Sequence, residues 1–74
     1  MDTEVYLEFR TQTRGYTLLL ETDLFGDWIV TRYWFGLKNG RGSTKQQLFS
    51  KWKDAFKEIE RIEKIRLRRG YVRL

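Results

Sequence analysis

"QQLFSKWKDAFKEIERIEKIRLRRG", residues 46–70, is where the chain changes its period. Before it, apolar residues alternate; within it, from Trp52 on, they recur at helical spacing. At about 100° per residue, Trp52, Ala55, Phe56, Ile59 and Leu67 share one helix face, with Ile62 on its flank. Ser50 is placed to cap the helix start, its hydroxyl accepting from a first-turn N–H. Gly70 supplies a left-handed stop, and Arg68 and Arg69 fall in the last turn, where the helix dipole favours cations.

Upstream of that switch, the pattern is one of strands. "VYLEF" (5–9) alternates Val5, Leu7 and Phe9 against Tyr6 and Glu8, as a half-buried strand does. "YTLLLET" (16–22), "WIVTRYWF" (28–35) and the more polar "STKQQLF" (43–49) read as three more. "TQTRG" (11–15) and "DLFGD" (23–27) are turns, and "GLKNGRG" (36–42) is a hairpin loop centred on Asn39-Gly40. "YVRL" (71–74) adds a short final strand. These elements predict an α+β fold: a small antiparallel β-sheet of four to five strands with one long C-terminal helix packed across one face. No linker or repeat divides the chain, so residues 1–74 form a single domain.

So short a chain buries a modest fraction of its surface, and twelve aromatic residues must supply much of the core. With no cysteine there is no disulfide framework. No apolar run reaches membrane-spanning length, and the acidic stretch "MDTEVYLEF" is unlike a signal peptide, which predicts a cytoplasmic protein. Charge is divided along the chain. Residues 1–27 set six carboxylates against two arginines, a net of −4, whereas residues 28–74 set thirteen Lys/Arg against four carboxylates, a net of +9. That division predicts a surface facing a polyanion.

Three places concentrate the chemistry. In "RYWFG" (32–36), Trp34 and Arg32 share one strand face, while Tyr33 and Phe35 share the other. Both faces of that strand end are therefore aromatic. One ring set packs in the core, and the other is left to stack on sugars or bases. In the following loop, Lys38, Arg41 and Lys45 either decorate a glycine-shaped turn or project at phosphates. On the helix, Lys53, Lys57, Arg61, Lys64 and Arg68 lie within about 80° of one another. Their like-charge i,i+4 pairs fit a binding stripe as well as a solvated face.

The frame resembles the WGR domain, a small module named for Trp-Gly-Arg and found in bacterial proteins and in poly(ADP-ribose) polymerases. The matching stretches are "YLEFR" (6–10), "LETDLFGDWIVTRYW" (20–34), the loop through Phe49, and "LRRGY" (67–71), covering nearly the whole chain. Trp34 takes the place of the motif Trp, while Phe35 and Gly36 stand where Gly and Arg are usual. The resemblance implies a sheet crossed by a helix and a non-catalytic role in binding nucleic acid, DNA ahead of RNA. It also makes Trp34 the expected contact.

Catalysis has little to work with. There is no His, the glycine loop lacks P-loop spacing, and the carboxylates are too scattered for a metal site. The expectation is a monomeric bacterial protein with no cofactor, metal or membrane partner. It would bind nucleic acid through Arg32, Trp34, Lys38, Arg41, Lys45, Lys53, Lys57 and Arg61. The alternative is an interaction module that docks an acidic protein or self-associates, the −4 segment of one molecule against the +9 segment of another.

Overall fold

Alternation at period two folds residues 5–49 into an antiparallel meander. A computed structural model describes residues 4–74; the first three residues of the acidic stretch, Asp2 among them, lie outside that range. The strands are β1 (Val5–Arg10), β2 (Arg14–Thr22), β3 (Trp28–Gly36), β4 (Gly42–Phe49) and β5 (Val72–Arg73). Helix α1 spans Trp52–Arg68. The sheet order is β4-β3-β2-β1-β5, with every neighbouring pair antiparallel. The architecture is the expected α+β arrangement, five strands with α1 packed on one face.

The long β2–β3 hairpin sets the register of the whole sheet. Tyr16 pairs with Trp34, Leu18 with Arg32, and Leu20 with Val30. These residues point toward α1 together with Leu7 and Phe9. Leu18, Leu20 and Val30 are fully buried against Ala55, Ile59 and Ile62 of the helix. The opposite sheet face carries Tyr6, Tyr33 and Leu48, all exposed. Each buried aliphatic side chain contributes roughly 1.5–3 kcal/mol.

Three details of the helix differ from the sequence reading. Its N-cap is Lys51, in extended backbone with no side-chain hydrogen bond, so Ser50 is not the cap. The acidic residue of the first turn, Asp54, complements the dipole there instead. The buried line runs Ala55, Ile59, Ile62, placing Ile62 at the centre, whereas Leu67 is 48 % exposed and Trp52 lies at the margin. Phe56 is half-buried and stacks on Trp52 with centroids 4.8 Å apart. A helix lying across a twisted sheet contacts it along one narrow line, so residues at the edge of the apolar arc stay wet.

The helix ends as its sequence requires. Gly70 takes φ 90°, and the N–H groups of Gly70 and Tyr71 donate to the carbonyls of Leu67 and Arg66, at 3.2 and 3.0 Å. This is a Schellman closure. It turns the chain back so that Tyr71 enters the core and Val72–Arg73 pair with β1.

Candidate nucleic-acid interface

The buried helix line 55-59-62 continues at position 66, where an apolar residue would be expected and an arginine stands. On the strand side the same happens: Trp28, Val30, Arg32 and Trp34 face the helix, and the third of these is again arginine. Both cations approach one end of the β2–β3 hairpin. There a cleft of about 570 Å³ is lined by Arg14, Arg32, Arg41 and Arg66, with no carboxylate in its lining.

Its aromatic wall is ordered around Tyr16. Trp34 lies nearly parallel to Tyr16, centroids 6.1 Å apart, and Tyr71 meets Tyr16 edge-on at 6.0 Å. The Arg66 guanidinium lies 4.5 Å from the Tyr16 centroid and 5.2 Å from that of Tyr71, a double cation–π contact. Tyr16 and Tyr71 are buried, but Trp34 remains 37 % exposed although it is on the helix-covered face. The helix cover at this end is Arg66 rather than an apolar side chain, so one wall of the cleft is a partly open indole.

Arg32 donates through Nη2 to Gln47 Oε1 at 3.1 Å. The Nε atoms of Arg32 and Arg66 are buried with no hydrogen-bond partner. Both atoms are enclosed by the surrounding protein, so what these two residues bring to the cleft is positive charge held in place by packing, Arg66 against Tyr16 and Tyr71 and Arg32 against Gln47. The carboxylate that Arg32 feels is Glu58, and Arg61 already grips it, Nε–Oε1 at 2.8 Å and Nη2–Oε2 at 2.6 Å. That bidentate bond is the main cause holding Glu58 below its ordinary 4.5, against opposing burial, with the charges of Arg61 and Arg32 and a Gln47 hydrogen bond assisting.

The other two aromatics of the triplet have a packing role. Tyr33 and Phe35 stack on the opposite face at 5.2 Å. The Phe35 ring lies directly over Gly15, where any Cβ would collide with it. Phe35 thus fills the gap left by a strand glycine, a device that restores cross-strand packing.

Of the residues singled out in the sequence, the cleft brings together Arg32, Trp34 and Arg41, and Phe35 also contributes to its lining. Lys38 and Lys45 are exposed nearby but outside its lining, Lys45 pairing with Arg32 across β3–β4. The loop itself is firm: Asn39 Oδ1 accepts from the Arg41 N–H at 2.9 Å, and the Gly36 N–H donates to the Arg41 carbonyl at 2.8 Å. Lys53 and Lys57 are exposed on the helix, and Arg61 is committed to Glu58. Arg14, Tyr16, Arg66 and Tyr71 were not singled out. The signal for Arg66 was its place on the 55-59-62 line.

Comparison with protein-family models, curated proteins and solved structures gives no significant match. Among the described residues, no helix is long and apolar enough to cross a membrane.

Proposed function

We propose that this chain is a non-catalytic nucleic-acid-binding module of WGR-like type, monomeric in dilute solution and cytoplasmic. The observation that carries the reading is the cleft: four arginines and no carboxylate in its lining, around a partly exposed Trp34. Arginines on phosphates supply affinity without sequence preference, and the indole stacks on a sugar or base. DNA is placed ahead of RNA on the family resemblance. Lys38, Lys45, Lys53 and Lys57 extend the positive surface outside the cleft and steer the polyanion toward it.

The test is a fluorescence-anisotropy titration of short single- and double-stranded DNA and RNA at fixed salt. Binding that weakens steeply as salt rises, and weakens further in Arg41→Ala, is expected. Absence of binding to all four probes at low salt overturns the reading. An acidic protein would meet the same positive surface, since Lys53, Lys57, Lys64 and Arg68 make no ion pair among the described residues. Competition between a short duplex and an acidic protein separates the two.

A further inference from the structure

The turn between β2 and β3 presents two large apolar side chains outward. Leu24 is 98 % exposed and Phe25 is 89 % exposed. Scattered apolar residues on a surface are ordinary, but two adjacent ones raised on a braced turn are not. Asp23 Oδ1 accepts from the N–H groups of Phe25 and Asp27 at 2.8 and 2.9 Å, and the Asp23 N–H donates to the Asp27 carbonyl at 2.9 Å. Gly26, at φ 84°, completes the turn. The knob is thus held in shape, and docking it costs little ordering entropy.

Its charge is the reverse of the cleft's. From residue 15 to residue 31 the chain carries Glu21, Asp23 and Asp27 and no Lys or Arg. Knob and cleft stand at opposite ends of one hairpin. Its strands are nine residues long, roughly 30 Å at about 3.3 Å per residue. The knob of one molecule therefore cannot enter its own cleft.

We infer that the Leu24-Phe25 knob of one molecule docks in the arginine-lined aromatic cleft of a second copy. Phe25 lies there against guanidinium and indole, and Asp23 and Asp27 face the arginine rim. The two surfaces differ, so the contact is head-to-tail and leaves a free knob and a free cleft at the ends of each assembly. Nucleic acid and knob would compete for one cleft. The inference rests on the cleft's charge and shape, whatever polyanion it also takes.

Sedimentation velocity at low salt tests it. The wild-type mass should rise above 9.1 kDa with concentration and return to it as salt increases. Leu24→Ser/Phe25→Ser, altered only at exposed positions, should stay monomeric and still bind oligonucleotide as the wild type does. Arg14→Glu/Arg41→Glu should also stay monomeric alone. Mixed with the knob variant, it should give a 1:1 dimer and nothing larger, because each variant keeps one working surface. A wild type that remains monomeric at every concentration, a knob variant that still associates, or a mixture that fails to dimerise overturns the inference. Self-association without oligonucleotide binding would instead defeat the proposed function alone.

Discussion

The Arg66 guanidinium lies 4.5 Å from the centroid of the Tyr16 ring, placing a cation at the end of the helix line that elsewhere holds Ala55, Ile59 and Ile62. A site for stability alone would be filled by an aliphatic or thioether side chain there. Arg66→Met should therefore hold or raise the melting temperature while weakening oligonucleotide binding, as functional residues in structural positions do. Paired thermal melts and anisotropy titrations check this. Loss of stability without loss of affinity would assign Arg66 to packing.

Trp34→Ala should leave the protein folded, since its ring is partly exposed, and cost about 1–3 kcal/mol of binding. Tyr33→Ala is the opposite-face control and should bind normally. If the control weakens binding and folded Trp34→Ala does not, the ligand uses the other face of the sheet.

Arg41 is expected to neutralise one phosphate, so Arg41→Ala should make the slope of log K against log salt shallower by about one unit. The same measurement on Lys38→Ala and Lys45→Ala, outside the cleft lining, should show smaller changes. Equal changes in all three would spread the interface along the loop.

For the core, Ile59→Ala should destabilise by about 2–5 kcal/mol, a large part of the stability of so small a domain. Phe56→Ala should cost less than a fully buried phenylalanine would, because Phe56 is half-buried beside Trp52. Urea denaturation ranks the two.

Strand alternation made the meander legible, because each face of β2 and β3 repeats without interruption from Tyr16 to Leu20 and from Trp28 to Trp34. It also separated Trp34 from Tyr33 and Phe35. Helical periodicity was less decisive. It defines an arc of apolar residues but not the line along which the helix meets the sheet, so Leu67 and Ile62 exchanged places. Half of the cleft was hidden for the same reason: Arg66 and Tyr71 reach Tyr16 only once the helix is docked and its Schellman turn formed. Nothing local in "KIRLRRGY" marks that encounter.

Acid should act through Glu58. Its folded-state value is depressed, so its stabilising contribution is present above the unfolded carboxylate value and is lost as pH falls below 4.5. Glu58→Gln should cost a few tenths of a kcal/mol at neutral pH (~0.2–0.5), as helical ion pairs do. The difference from wild type should shrink in melts recorded toward pH 3. A difference independent of pH would mean that the Arg61 contact contributes no charge-dependent stability.

The sheet order carries a kinetic consequence. β1 through β4 join neighbours in chain order, so their contacts close short loops, whereas β5 must return across the whole chain to reach β1. Local hairpins form before such long-range closures, because the entropy of closing a loop grows with its length. Arg66 and Tyr71 travel with the late-arriving segment, so Tyr16 and Trp34 are aligned on the sheet before the cations and ring that complete their cleft. Amide exchange should accordingly be slowest in β2 and β3 and fastest in β5, and a chain caught with its sheet formed but its C-terminal segment undocked would display an aromatic ledge with no grip on phosphate.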